Sequence, residues 1–377
     1  MKKKFIYRPE IDGLRALAIM PVVLFHADFQ NFNGGYVGVD IFFVISGYLI
    51  MSLILKEIEN KEFSLINFYE RRARRILPVL FLIILLCMPF AWIILLPADL
   101  ELFIETAVAS ITFWSNYVFY FEIDYFETTS ELKPLLHTWS LSIEEQFYIF
   151  FPLLFIFSKK ILNKKYFYLI LIISALSLFL AQWGGNLKFS YPYIEKNFIF
   201  FNQSKITNFF LPWGRIWELG LGVIIAFILF KKRQIYFYNN FFCLIGLALI
   251  IFSILTFKAN TNHPGFLTLI PTAGTALLIL FMNSKTYLHK IFSQKIFVFI
   301  GLISYSVYLF HYPIFTFIEY SDNLIINSYN KILIIVIIFF ISFISWKYFE
   351  KPFRNKKKIK IKNFLFLLGF FYIFFFH

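Results

Sequence analysis

Residues 68–96 read FYERRARRILPVLFLIILLCMPFAWIILL. From Ile76 to Leu96 no side chain is charged. A helical crossing of a bilayer needs ~20 mostly apolar residues, so this run is long enough to span. The arginines before it, Arg71, Arg72, Arg74 and Arg75, mark the cytoplasmic entry of such a span. Runs of the same kind recur near residues 11–27, 37–55, 143–158, 166–182, 213–230, 240–258, 266–283, 297–318, 331–349 and 364–377. The pattern predicts an all-α, polytopic integral membrane helix bundle of about 10–11 transmembrane helices.

Composition agrees. Of 377 residues, 59% are hydrophobic and only 15% are charged, whereas a soluble chain carries ~25% charged residues. A soluble enzyme, a disordered chain and a disulfide scaffold are excluded. The apolar runs have helix length rather than the ~10-residue alternation of an outer-membrane barrel. A net charge of +14 suggests nucleic acid in a soluble protein, but here it reports orientation. Most of the 36 Lys and Arg residues fall in 1–10, 56–75, 159–165, 231–233, 284–296 and 350–363, which are alternate connections. The positive-inside rule then places the N-terminus in the cytoplasm, and no nucleic-acid partner is expected. The apolar segment 103–121 would invert every later basic loop if it spanned, so it is expected on the outer surface or re-entrant. Lys2, Lys3 and Lys4 imitate the start of a signal peptide, but Asp12, Arg15 and His26 interrupt the apolar stretch that follows. Cys87 and Cys243 lie in apolar runs, which argues against a disulfide or a metal cluster, and no metal is expected.

A charge near the bilayer centre costs ~2.5–3.5 kcal/mol or more, so intramembrane charges are where function is sought. Arg15 and His26 are eleven residues apart and share one helix face, separated by roughly 16 Å along the axis. Asp12 lies near the same stripe. A neutral imidazole there is suited to take a proton, although both cation and imidazole could equally snorkel to opposite interfaces. The stretch GGYVGVDIFFVISGY (34–48) holds four glycines and Asp40; small-residue packing accounts for glycines but not for Asp40. Arg71, Arg72 and Arg75 suit a multiply phosphorylated ligand as well as ordinary anchoring. In HTWSLSIEEQFY (137–148), Ser142 with Glu145 reads as a capping box, which leaves Glu144 less explained. Lesser signals are Arg215, Trp217 and Glu218, and the face shared by Tyr305, Tyr308 and His311 beside Ser304. There is no Walker A loop, His-Glu-x-x-His site or Gly-x-Ser-x-Gly elbow.

Taken in order, these motifs resemble the acyltransferase-3 family of bacterial integral-membrane O-acyltransferases. The elements are Arg15-x10-His26, the Gly34–Phe43 stretch, Phe68-Tyr69-x-Arg71-Arg72-x-x-Arg75-Ile-x-Pro78, residues 137–148, Ile303–His311 and Glu350-Lys-Pro-Phe-Arg354. The resemblance covers nearly the whole chain. It implies transfer of an acyl group, usually acetyl, from cytosolic acyl-CoA to a sugar hydroxyl of lipopolysaccharide O-antigen, exopolysaccharide or peptidoglycan. Acetyl-CoA is then a co-substrate, with no permanently bound cofactor. The resemblance implies that Arg15 and His26 are important for activity, and Glu144 is expected with them as a catalytic residue. Arg72 and Arg75, with Arg71, are the expected CoA-phosphate ligands. Asp12, Asp40, Glu145, Tyr305 and His311 are expected in support. The implied location is the bacterial inner membrane, multi-pass. Residues 1–355 are read as the acyltransferase domain. Residues 356–377 are read as a basic cytoplasmic linker and the start of a last helix, where many members attach a periplasmic SGNH-type domain. Such a domain on a separate protein is an expected partner beside the bilayer, acyl-CoA and the glycan. The same intramembrane charges also suit a transporter or flippase of lipid-linked sugars, or a membrane scaffold indifferent to Arg15 and His26.

Overall fold

The computed structural model describes residues 7–122, 132–162, 165–183, 204–231, 238–258, 261–321, 328–364, 366 and 369. Every regular element among them is helical. In chain order they are α1 (Pro9–His26), α2 (Gly38–Glu59), α3 (Leu65–Ile94), α4 (Pro97–Ile111), α5 (Ser115–Glu122), α6 (Thr138–Leu162), α7 (Tyr166–Trp183), α8 (Ser204–Phe210), α9 (Ile216–Lys231), α10 (Asn240–Thr256), α11 (Leu269–Phe281), α12 (Tyr287–Phe292), α13 (Lys295–Tyr320), α14 (Ser328–Ser345) and α15 (Lys351–Arg354). Six helical stretches among the described residues are long and apolar enough to cross a membrane: Gly35–Glu59, Leu65–Ile94, Thr138–Leu162, Tyr166–Trp183, Lys295–Tyr320 and Tyr329–Arg354. α10 and the Phe266–Phe281 stretch are apolar but shorter.

Local sequence explains the ends. Pro9 and Pro97 occupy first helical turns, where a missing N–H costs nothing. Ser64 caps α3 by accepting from the Asn67 amide, and Asn239 caps α10 through the amides of Phe241 and Phe242. The segment 103–121 is not one helix. It is divided between α4 and α5 at Phe113, which takes a left-handed φ of 61°, and neither piece reaches the ~20 residues of a span. The expected capping box at Ser142 and Glu145 is also absent. α6 begins earlier, at Thr138, so both residues lie inside it. The expected last span, 364–377, lies outside the described residues apart from Phe364, Phe366 and Gly369.

The chain forms two compact units. The first comprises Met1–Phe63 and Ile143–Leu302, the second Ser64–Ser142 and Ile303–His377. In the first, α2 packs most extensively on α9. Gly47 permits that approach, because a Cβ there would strike the Leu219 carbonyl. α1 runs antiparallel to α2, with Gly35 against Pro21 and Gly38 against Ala18. In the second unit, a chain of hydroxyls ties α4, α5 and the start of α6 together: Ser110 to Thr138 at 2.8 Å, Thr138 to Ser115 at 2.9 Å and Ser115 to Ser142 at 2.7 Å. The basic stretch after α15 is tied to α3, with Lys356 on Glu70 at 2.5 Å.

Candidate active site

The first unit carries most of the charges singled out by sequence. At the start of α1 the buried Arg8 guanidinium donates to Glu10 at 2.7 Å, to the Tyr48 hydroxyl at 2.9 Å and to the Ile279 and Met282 carbonyls at 3.1 Å. Burial disfavours its charge, but Tyr48 and Glu10 outweigh that and hold its pKa above the ordinary value. This clamp fixes the entry of α1. Two turns on, Arg15 faces Asp12 at 3.4 Å. At the other end, His26 places Nδ1 3.0 Å from the Val22 carbonyl. A carbonyl only accepts, so Nδ1 bears the hydrogen and Nε2 carries the lone pair of the neutral ring.

Asp40 is fully buried, and the structure supplies the partners that the sequence left unnamed. One guanidinium nitrogen of Arg215 serves both Asp40, at 2.8 Å, and Glu218, at 3.0 Å. The other oxygen of Asp40 receives His263 Nε2 at 2.8 Å. All these side chains are at most 6% exposed. Arg215 Nη2 lies 3.4 Å from His263 Nδ1, so both ring nitrogens are committed. Burial first, then Arg215, push the His263 pKa well below its ordinary value, and the ring is neutral. Glu218 Oε2 is buried with no hydrogen-bond partner among the described residues. The cluster holds the first turns of α2 and α9 and the loop before α11 in one frame.

Glu144 is different. It is half-buried, and Ser46 and Tyr148 both donate their hydroxyls to its Oε1. Among the described residues nothing donates to Oε2. The trio joins α2 to α6 in the apolar body of the unit. A carboxylate held at one oxygen and open at the other can take a proton from a bound molecule. Glu145, by contrast, is buried. His26 does not share the level of Glu144. Ala18 packs on Gly38, and His26 lies eight residues beyond Ala18 while Ser46 lies eight residues along α2 in the opposite direction. At 1.5 Å per residue the two sites stand roughly 24 Å apart along the helix axes. Arg15 lies closer to the level of Ser46 than to that of His26.

In the second unit the arginine run divides. Arg74 is buried, bonded to Glu70 at 2.8 Å and to the Phe353 and Ile359 carbonyls at 3.3 and 2.8 Å. It is a structural clamp rather than an open cation. Arg71, Arg72 and Arg75 are half-buried, and Arg75 makes no ion pair among the described residues. Tyr305 donates to the Ile76 carbonyl at 2.9 Å, at the same turn of α3. His311 gives Nδ1 to Val307 at 3.1 Å and packs its ring against Tyr308 and His137. Tyr308 in turn bonds Ser140 at 2.5 Å.

Sequence reasoning missed His263, Ser46 and Tyr148 as members of polar clusters. His263 has a faint signal, an imidazole in a short connection between two apolar runs. Ser46 has none, because its partner lies 98 positions away. Among the described residues no group of three or more His, Cys, Asp or Glu is arranged to hold a metal ion.

Comparison with known proteins adds a second line. The family described as Acyltransferase domain matches residues 8–348. The peptidoglycan O-acetyltransferase OatA of Listeria monocytogenes is 31% identical over 380 residues, covering 95% of this chain and 58% of the relative. The O-acetyltransferase OatA of Staphylococcus aureus is 32% identical over 365 residues, covering 93% of this chain and 58% of its own length. Another Staphylococcus aureus relative is 33% identical over 381 residues, covering 96% and 59%. The chain thus spans about three-fifths of the length of the curated relatives it matches. No solved structure matches it.

Proposed function

This chain belongs to the Acyltransferase domain family, and from that membership we propose that it is a membrane-bound O-acyltransferase. It moves an acyl group, acetyl in the simplest case, from cytosolic acyl-CoA to a hydroxyl of a cell-envelope glycan. It works in the cytoplasmic membrane, which is the inner membrane where there are two. The names of the OatA relatives favour O-acetylation, and that of the Listeria protein favours peptidoglycan over lipopolysaccharide O-antigen or exopolysaccharide. The observation that carries the reading is Glu144: a half-buried carboxylate in an apolar frame, clamped at one oxygen by two hydroxyls. Such a group is costly to place among apolar helices and marks a functional site by default.

In this reading each group has a part. The CoA phosphates meet Arg72 and Arg75, with Arg71 beside them, at the cytoplasmic end of α3. Arg75 makes no ion pair among the described residues, and Arg74 is committed to Glu70. Glu144 takes and returns the proton where the thioester is opened. Arg15, held by Asp12 at 3.4 Å, places positive charge on the donor side. His26 lies at the far end of α1 and serves the acceptor side, its Nδ1 held by the Val22 carbonyl. A separate periplasmic SGNH-type acyltransferase is a partner for the outward step.

Inverted membrane vesicles given labelled acetyl-CoA test this. Label entering the glycan fraction with release of free CoA is expected, and loss of both in Glu144→Gln at matched expression. No CoA release by wild type in vesicles containing the glycan acceptor sinks the reading.

A further inference from the structure

The Ser46 hydroxyl is bonded to a carboxylate between α2 and α6, and neither sequence motif nor family match gives it a role. Ser46 is half-buried, so it is reachable, unlike the sealed polar atoms of the Asp40 cluster. Its Oγ donates to Glu144 Oε1, the arrangement of a serine with its base. Its position is rigid. Gly47, the next residue, is pressed on the Leu219 backbone, and Gly222 of α9 is pressed on Val44 and Tyr48. Ser46 also needs a base of its own, since His26 stands roughly 24 Å away along the helix axes.

Resting on the acyltransferase reading, we propose that Ser46 is a catalytic nucleophile that carries the acyl group as an ester between acyl-CoA and the outgoing hydroxyl. In the first step Ser46 Oγ attacks the thioester carbonyl. The C–S bond breaks, Glu144 receives the hydroxyl proton and returns it to the departing thiolate. The products are acyl-O-Ser46 and CoA-SH. In the second step a hydroxyl acceptor attacks the ester, its proton passes through Glu144 to Ser46 Oγ, and the free serine is restored. No other reactant is required. By the Ala18–Gly38 register Ser46 stands level with Glu10, at the cytoplasmic entry of α1, and Tyr48, two residues on, bonds Arg8 there; the acyl group is therefore loaded near the cytoplasmic side. Tyr148 shares Oε1 and holds Glu144 for this task; it is a positioning residue.

The test uses the full chain in lipid nanodiscs with labelled acetyl-CoA and no acceptor, quenched in acid, digested and read by tandem mass spectrometry. Acetyl is expected on the peptide holding Ser46, absent in Ser46→Ala, and at least tenfold reduced in Glu144→Gln. Ser46→Cys is expected to carry the label as a thioester that neutral hydroxylamine removes, which identifies the position in a variant that keeps a nucleophile. Label on Tyr148 instead of Ser46 overturns the proposal. So does undiminished acyl transfer by Ser46→Ala. CoA release without any serine ester, with transfer to added glycan intact, overturns the proposal while leaving the acyltransferase reading standing. No CoA release under any condition removes that reading as well.

Discussion

Asp40 and Glu144 are both acids that membrane helices should exclude, and the structure treats them in opposite ways. Asp40 is sealed. Arg215 and His263 take both its oxygens, and the cluster is shut from solvent. Glu144 is half-open, held among the described residues by neutral hydroxyls on one oxygen. A buried charge with a matched partner fixes geometry, because removing either side leaves the other stranded. A charge held by neutral donors, with an oxygen to spare, remains able to exchange a proton. An intramembrane carboxylate is therefore not by itself a catalytic residue; what its second oxygen touches decides.

That contrast can be broken by substitution. The largest effect is expected at the open site. Glu144→Gln should lower acyl transfer by about 10²–10⁴-fold, the usual contribution of a general base, with an unchanged melting temperature. A stability loss without a rate effect would place Glu144 with Asp40. At the sealed site the reverse is expected. Arg215→Ala strands two carboxylates and should cost ~3–5 kcal/mol of stability, read as a lower unfolding midpoint in detergent. Next, Arg72→Ala with Arg75→Ala should raise the KM for acyl-CoA by at least about tenfold, since each charge-assisted hydrogen bond contributes ~1.5–3 kcal/mol. KM is the diagnostic, because a structural role would lower kcat and stability together. Gly47→Ala drives a methyl into the Leu219 carbonyl and should cost ~1–3 kcal/mol by overpacking, with activity falling as Ser46 is displaced.

The smallest effect is one of pH. The folded protein keeps His263 neutral, while the unfolded chain protonates it near the ordinary value of 6.5. Its contribution to stability is therefore complete above about pH 6.5 and is lost as pH falls below it, because only the unfolded state then binds the proton. Asp40 and Glu218 face it from α2 and α9, and Arg215 from the start of α9. His263→Asn should flatten that acid limb of the thermal-stability profile.

Sequence reading recovered the helix-bundle class because apolar run length has a direct meaning in a bilayer. The residues 103–121 were separated from the spans by loop charge alone, and the break at Phe113 supports that separation. Periodicity placed Asp12 with Arg15 and Tyr308 with His311, since three residues set one helix face. It could not place Ser46 with Glu144 or Asp40 with Arg215. Those pairs are separated by 98 and 175 positions and depend on how whole helices pack. The arginine run shows the same limit: four equivalent letters become one buried clamp at Arg74 and three half-buried neighbours, because Glu70 lies one turn before Arg74. The capping-box reading at Ser142 failed because α6 starts a turn earlier.

On the proposed reading, Glu144 opens the thioester and the acyl group goes to an envelope glycan. The most direct measurement is single-turnover release of CoA from labelled acetyl-CoA, with label counted in the glycan, by wild type and Glu144→Gln in inverted vesicles. Stoichiometric release with glycan labelling by wild type, and neither by an equally stable Glu144→Gln, is the predicted result. Equal release and labelling by the two proteins would contradict it.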